Sequence, residues 1–225
     1  MKLAETPRPA AQVLARQSGV LSAAEAVPVI VAIPACNEQQ GMAACLAAVD
    51  TAAACTADDA DVTLLILANN CRDRTATMAR RGVSRPLRVV VDQVELPADW
   101  RAGGVRREAL DPAAALLPAD GVRMTTDADS TVAPDWIAAN LAALASADAV
   151  AGVVAFDLAI RAALPWLPGR DLEWRLAELH AQLNSLLGPV TLDPWPNHIW
   201  TWGASLALTV SACRAIGGLP AVPLA

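Results

Sequence analysis

The stretch that decides the fold is Val27-Pro-Val-Ile-Val-Ala-Ile33, a continuous apolar run rich in β-branched residues. Such a run is typical of a strand that is buried on both faces, as in a parallel sheet covered by helices. A helical pattern follows from Glu38 to Ala54, and the alternation then repeats, with strands predicted at 62–68, 87–91, 122–126 and 149–156 and helices at 73–81, 103–117 and 134–146. This alternation predicts βαβ units, so we expect a doubly wound, mostly parallel α/β sheet flanked by helices.

The pattern changes on both sides of this α/β core, which we place at residues 27–156. Residues 1–26 form an alanine-rich leader, and residues 157–225 form a segment of different character. That segment contains an amphipathic helix from Asp171 to Leu187, a Pro- and Trp-rich stretch from Gly188 to Trp202, and a short helix from Val210 to Ile216. A long connection rich in Pro, Trp and Asn is typical of a binding loop.

Composition excludes several classes of function. A chain of 225 residues suits one α/β domain, and a net charge of −6 argues against a nucleic-acid surface. Lys2 is the only lysine, so neither a P-loop nor a Schiff-base mechanism is available. No apolar run approaches the roughly 20 residues of a membrane helix, and no signal peptide is recognisable. Five cysteines without a Cys-x-x-Cys pair indicate reduced thiols, so we expect a cytoplasmic protein, with a peripheral membrane position left open.

Asp127 and Asp129 stand one residue apart, directly after the predicted strand 122–126. In an open α/β sheet the ligand crevice lies at the carboxyl ends of the strands. Hard cations such as Mg²⁺ are usually held there by one or two carboxylates and by the phosphates of the substrate. A bare Asp-x-Asp also fits a solvated acidic turn, but its position favours a divalent metal site that faces a diphosphate.

Two further polar loops follow the first and second predicted strands, from Ile33 to Glu38 and from Leu67 to Thr75. Each has a purely structural interpretation, in which Asn37 and Asp73 cap the helices that follow. Their convergence on the Asp127 edge favours a binding role. No Gly-x-Gly-x-x-Gly follows the first strand, so a dinucleotide-binding dehydrogenase has no support.

Taken together, these motifs resemble glycosyltransferase family 2. The similarity spans about residues 28–225 and rests on an ordered set of segments: 33–38 (Ile-Pro-Ala-Cys-Asn-Glu), 69–75 (Asn-Asn-Cys-Arg-Asp-Arg-Thr), 104–109 (Gly-Val-Arg-Arg-Glu-Ala), 126–130 (Thr-Asp-Ala-Asp-Ser), 203–205 (Gly-Ala-Ser) and 217–220 (Gly-Gly-Leu-Pro). The resemblance implies a GT-A fold that binds a nucleoside-diphosphate sugar and transfers the sugar with inversion of the anomeric centre.

The resemblance also assigns residues to the donor site. Arg107, with Arg106 as the less favoured choice, would face the diphosphate, and Asp127 and Asp129 would hold Mn²⁺ or Mg²⁺, with Asp129 the direct ligand. Asn69 stands where such enzymes commonly have an aspartate that reads the base, and an amide can both donate and accept. The residues expected to line the base and ribose are Pro34, Ala35, Asn37 and Glu38.

The acceptor side would be built from a single stretch of the chain, Trp195, His198, Trp200, Trp202, Gly203, Ala204 and Ser205. Tryptophan faces stack on sugar rings, although the same residues also suit a core. His198 is either a polar contact to the acceptor or a structural histidine. The acceptor itself is an unidentified sugar, lipid or small molecule.

An inverting transfer needs a base for the acceptor hydroxyl, and the family places it in a Glu-Asp pair shortly after the Gly-Gly turn. The printed sequence reaches Ala225, seven residues after Gly218, without such a pair, so no catalytic residue is visible and we expect the base beyond Ala225 in a longer enzyme. We therefore predict a metal-assisted glycosyltransferase of hexosyltransferase type. One alternative is a nucleotide-sugar binding module without transfer. Another is a nucleotidyltransferase, disfavoured because the first loop lacks a Gly-rich basic sequence.

Overall fold

The computed structural model describes residues 11–15, 26–82, 87–97, 102–156, 158–188 and 203–218. These residues form seven strands and seven helices. The strands are β1 (Ala11–Ala15), β2 (Val27–Ala35), β3 (Ala60–Asn69), β4 (Arg88–Val94), β5 (Val122–Thr125), β6 (Ala147–Gly152) and β7 (Leu206–Thr209). The helices are α1 (Met42–Ala54), α2 (Thr75–Arg81), α3 (Ala102–Leu116), α4 (Trp136–Leu144), α5 (Leu158–Ala163), α6 (Leu167–Leu187) and α7 (Val210–Ala215).

The described strands form one sheet in the order β1-β6-β7-β5-β2-β3-β4. Strand β2 pairs in parallel with β3 and β5, and β3 pairs in parallel with β4. Strand β7 runs antiparallel between β5 and β6, and β1 pairs antiparallel with β6. Strands β2 to β6 therefore all point in one direction, which confirms the expected mostly parallel sheet.

Helices cover both faces of the sheet because alternate residues of β2 point to opposite sides. Val29, Val31 and Ile33 pack into the large cluster that includes buried residues of α1 and α4. Ala32 packs on the other face with residues of α3, among them Val105. This two-sided burial accounts for the uninterrupted apolar sequence of β2 and confirms the doubly wound arrangement.

Three elements were not predicted from the sequence: β1, α5 and β7. Strand β1 lies within the alanine-rich leader, and β7 occupies an apolar run of only four residues. Both are short and pair antiparallel with distant segments, so long-range pairing rather than local pattern selects them. The predicted strand 149–156 is displaced to Ala147–Gly152, and α6 begins at Leu167, four residues earlier than expected.

Helix α6 is amphipathic, as its sequence indicates, but its leucines face outward. Its exposed leucines are Leu172, Leu176, Leu179, Leu183, Leu186 and Leu187, each at least 52% exposed. Trp174 and Glu178 lie on the half-buried side of the same helix. None of the described helices combines the length and the apolarity needed to cross a membrane.

Candidate functional site

The site lies where three neighbouring parallel strands end. Strands β5, β2 and β3 are adjacent in the sheet, and their last residues are Thr125, Ala35 and Asn69. The loops that follow them therefore meet at one edge, where α/β proteins bind ligands. Strand β7 runs the other way, and its first residue, Leu206, pairs with Thr125. The segment from Gly203 to Ser205 thus enters the sheet at the same edge.

The turn that carries the paired aspartates packs against the start of α1. Asp127 is half-buried and Asp129 is exposed. The main-chain oxygen of Asp127 accepts hydrogen bonds from the Ser130 amide, at 3.1 Å, and from the Cys45 thiol, at 3.4 Å. A Cβ added to Gly41 would lie 3.1 Å from the Ala128 oxygen, so the absence of a side chain permits this close approach. The two carboxylates are consequently held on a fixed turn.

Hydrogen bonds join the loops that follow β2 and β3. The Glu38 amide donates to Thr75 Oγ1 at 2.8 Å, and the Arg72 amide donates to Asn37 Oδ1 at 2.8 Å. Asn37 adopts a positive φ of 59° and does not cap α1, which begins after Gly41. The structural interpretation of Asn37 as a helix cap is therefore wrong, because its side chain is used between the loops.

The Asp73 carboxylate accepts hydrogen bonds both from the loop after β2 and from the first turn of α2. One oxygen of its carboxylate accepts from the Gln39 amide at 3.1 Å, and the other accepts from the Thr75 amide at 2.9 Å and from the Thr75 hydroxyl. These hydrogen bonds, that of the hydroxyl first, lower the pKa of the Asp73 carboxyl. Asp73 therefore stays ionised beside the site and fixes the first turn of α2 to the first loop.

The predicted base-binding residues lie along this junction. Ala35 is buried and Pro34 is half-buried, and the Ala35 oxygen accepts from the Cys71 thiol at 3.4 Å. Asn69 is 9% exposed at the end of β3. The next residue, Asn70, has a φ of 50° and exchanges two hydrogen bonds of 2.9 Å with the main chain of Leu96. Asn70 therefore fixes the loop after β3 to the residues after β4, a role that sequence analysis missed.

Negative charge accumulates at this edge. The pKa of Glu38 is raised, chiefly by burial and then by the charges of Asp129, Asp73 and Asp127. Burial, with Asp129 and Asp127, also raises the pKa of the Cys45 thiol to about 12, so this thiol stays protonated at neutral pH. The groups that offer ionised donors to a cation here are therefore carboxylates, not a thiolate.

These carboxylates suit a hard divalent cation that also binds substrate phosphates. Within the described ranges no three Asp, Glu, Cys or His side chains are arranged as a ready-made metal site. Two adjacent carboxylates with open positions are nevertheless what Mg²⁺ commonly uses when phosphates complete its coordination. The donor set thus fits Mg²⁺ or Mn²⁺ and offers nothing to a soft metal.

Arg106 is a basic residue of α3 that contacts the first of the paired aspartates, Asp127. Its Nη2 donates to Asp127 Oδ1 at 2.6 Å, and its Nη1 donates to Thr125 Oγ1 at 2.8 Å and to the Gly203 oxygen at 2.7 Å. Arg107, the residue favoured from the sequence, instead pairs with Asp111 one turn further along α3, at 3.0 Å. Of these two adjacent arginines, Arg106 is therefore the one that contacts Asp127.

A buried contact fixes the helix that carries Arg106. Arg123 of β5 is 2% exposed, and its Nη1 donates to the Leu110 oxygen of α3 at 2.9 Å. Val105, Ala109 and Leu110 pack against the sheet. Arg106 lies three residues before Ala109 and four residues before Leu110, so it shares their side of the helix. The apolar positions around Arg106 are the sequence signal that distinguishes it from Arg107.

Only part of the predicted acceptor side can be placed. Gly203 and Ala204 are half-buried at the site edge, and Ser205 is buried. Ser205 Oγ accepts from Trp136 Nε1 at 2.9 Å, which ties the segment to α4. The remaining predicted members lie outside the described residues: Trp195, His198, Trp200 and Trp202.

No protein-family model and no curated protein matches the chain. Among solved structures, it is similar to a mannosyltransferase from Pyrobaculum calidifontis in complex with GDP-Man and Mn²⁺, with 17% identity, a TM-score of 0.57, and coverage of 88% of this chain and 49% of that one. It also aligns with glucosyl-3-phosphoglycerate synthase from Mycobacterium tuberculosis, at 18% identity and a TM-score of 0.46, over 83% of this chain and 59% of that one. The chain thus spans about half the length of the mannosyltransferase, whose likeness confirms the GT-A type fold.

Proposed function

We propose that this chain is the donor-binding part of a metal-assisted glycosyltransferase of family 2, which transfers a hexose from a nucleoside-diphosphate sugar to an acceptor hydroxyl. The observation that carries the proposal is the placement of Asp127 and Asp129 at the carboxyl end of β5, beside Arg106 and the loops after β2 and β3. The fold agrees with it, since the similar mannosyltransferase was solved with GDP-Man and Mn²⁺.

Asp129, with Asp127, would hold Mn²⁺ or Mg²⁺ together with the diphosphate. Asp129 is the exposed member of the pair, whereas one oxygen of Asp127 already accepts from Arg106. The metal would supply Lewis-acid stabilisation of the negative charge on the departing diphosphate. Glu38 and Asp73 add negative potential that attracts a cation to this edge.

Arg106 would provide positive charge to the diphosphate from beside Asp127. Its guanidinium is mostly buried, with 13% of the side chain exposed, so its contacts are less screened by water than those of a surface arginine. A guanidinium is suited to phosphate oxygens because of its planar array of donors. Arg106 therefore holds Asp127 in place and can bind the leaving group.

Asn69 and the first loop would bind the nucleoside. Asn69 ends β3 one residue after Ala68, the register partner of Ala35, and the loop of Asn37 and Glu38 is fixed to the next loop by side-chain hydrogen bonds. Such rigid loops lower the entropy cost of binding a nucleotide. The base for the acceptor hydroxyl remains a prediction, as do the acceptor contacts of Trp195, His198 and Trp202.

A donor screen by thermal denaturation tests this function. We expect a UDP- or GDP-sugar with Mn²⁺ to raise the unfolding temperature by roughly 5–10 °C at a concentration about 100 times Kd. Incubation of the stabilising donor with acceptors or water then tests transfer and hydrolysis. Binding without either reaction would support a binding module instead, and stabilisation by nucleoside triphosphates with release of diphosphate would support a nucleotidyltransferase. No stabilisation by any nucleotide sugar would reject the proposal.

A further inference from the structure

The guanidinium of Arg106 connects Asp127, a carboxylate of the proposed donor site, to a segment far along the chain. Its Nη2 binds Asp127, while its Nη1 binds the main-chain oxygen of Gly203, 97 residues away in sequence. One side chain thus contacts both the expected donor side and the start of the expected acceptor side.

The absence of a side chain at Gly203 makes room for this guanidinium. A Cβ built on Gly203 would lie 2.5 Å from Arg106 Nε and 2.6 Å from its Cζ. Real Cβ atoms do not approach heavy atoms that closely, so a side chain at this position would displace the guanidinium. The close fit explains why a glycine, and not another small residue, precedes Ala204.

The far end of the Gly203 segment is firmly held. Ser205 accepts from Trp136 through its hydroxyl and from the Gly152 amide through its main-chain oxygen, at 2.9 and 2.8 Å. Strand β7 then pairs with β5 and β6. A change at Arg106 would therefore move Gly203 and Ala204 about a fixed point at Ser205.

We propose that Arg106 is a positioning residue that couples donor binding to the position of the Gly203–Ser205 segment; this inference rests on the proposed function. While no donor is bound, Arg106 holds Gly203 against the Asp127 carboxylate. When the donor site fills, Arg106 keeps its Asp127 contact, exchanges its Gly203 contact for a diphosphate oxygen and frees the segment to admit an acceptor. Because coupling is reciprocal, releasing the segment also changes the affinity for the nucleotide.

Hydrogen–deuterium exchange of the 203–209 peptide tests the bridge in the free protein. We expect Arg106→Lys to raise its exchange rate about fivefold or more, since a lysine cannot contact Asp127, Thr125 and Gly203 together. Gly203→Ala should have the same effect because it displaces the guanidinium. Arg88→Lys, an exposed change at the start of β4, and Gly169→Ala, where an added Cβ meets nothing within 4 Å, are the controls. Wild-type exchange in both test variants would overturn the bridge.

The coupling is tested with UDP and GDP, each with Mn²⁺, as probes. In the wild-type chain, the bound probe should raise exchange of the 203–209 peptide about fivefold, and this response should be absent in Arg106→Lys at saturating probe. Calorimetry on the same samples separates the two proposals. Binding without any change in exchange would overturn the coupling and leave the donor site intact, whereas failure of both probes to bind would count against the proposed function itself.

Discussion

Glu38 is a site residue whose carboxyl is harder to ionise in the folded protein. Partial burial and the charges of Asp129, Asp73 and Asp127 raise the pKa of its carboxyl. The charged form is therefore less favourable in the folded protein than in the unfolded chain. This destabilisation is present above the folded pKa and disappears below the unfolded pKa, because the carboxyl is then protonated in both states. Repulsion between the Glu38 carboxylate and these aspartates therefore lowers the stability of the folded protein, and a bound cation would offset that repulsion.

Replacing Glu38 by Gln removes that repulsion. At pH 7 and without metal, we expect Glu38→Gln to raise the unfolding temperature by about 1 °C, a small effect because the group is partly hydrated. At pH 4 the difference from the wild-type chain should shrink. Thermal denaturation at both pH values measures it. A decrease in stability at pH 7 would show that the Glu38 carboxylate makes a favourable contact instead.

Asn70 fixes the loop after β3 to the segment after β4. Its amide nitrogen donates to the Leu96 oxygen and its amide oxygen accepts from the Leu96 nitrogen. Asn70→Asp keeps the size but places a charged acceptor against a carbonyl oxygen. We expect a loss of about 1–3 kcal/mol in urea denaturation. The matched change Asn184→Asp, at an exposed position of α6, should cost only a few tenths of a kcal/mol.

At the scale of elements, the joint between β6 and β7 is packed without room for a side chain. A Cβ added to Gly152 would lie 2.0 Å from Ser205 Oγ and 2.8 Å from Ser205 Cβ. We expect Gly152→Ala to destabilise the fold by about 2–3 kcal/mol, because the two strands must separate locally. Ser205 would also lose its alignment with Trp136.

Gly169→Ala is the matched control for this change. Gly169 lies in α6 with open space around the added Cβ, and alanine favours a helix by about 0.5–1 kcal/mol over glycine. Denaturant unfolding of both variants should therefore give shifts of opposite sign. Equal stability of Gly152→Ala and the wild-type chain would contradict the tight packing at this joint.

The predictable elements are those whose sequence alone requires burial. The sequence predicts the strands β2, β3 and β5 and the polar loops after them, because strand pattern and sheet edge follow from local sequence. Strands β1 and β7 were missed, since a strand of four or five residues is selected by its partners. Local sequence does not specify which of Arg106 and Arg107 contacts Asp127, because adjacent helical residues point about 100° apart and only the rotation of α3 on the sheet separates them.

At the scale of the whole molecule, the sheet brings together groups that lie far apart in sequence. Loops near residues 37, 72 and 127 meet because β2, β3 and β5 are neighbours, and residue 203 joins them because β7 inserts antiparallel. The order of motifs in the sequence indicated the first three. The contact between Arg106 and Gly203 depends on the antiparallel position of β7 between β5 and β6, which local sequence does not specify.

We expect Asp127 and Asp129 to form a metal-dependent site for a nucleoside diphosphate. This site can be tested by calorimetric titration of UDP and GDP, each with Mn²⁺ and with chelator. The titrated proteins are the wild-type chain, Asp129→Asn and the control Asp61→Asn. Asp61 is an exposed carboxylate at the opposite end of β3. We predict binding of at least one nucleotide that requires Mn²⁺, weakens at least about tenfold in Asp129→Asn, and is unchanged in Asp61→Asn. Absence of binding, or equal affinity in Asp129→Asn with and without Mn²⁺, would contradict the claim.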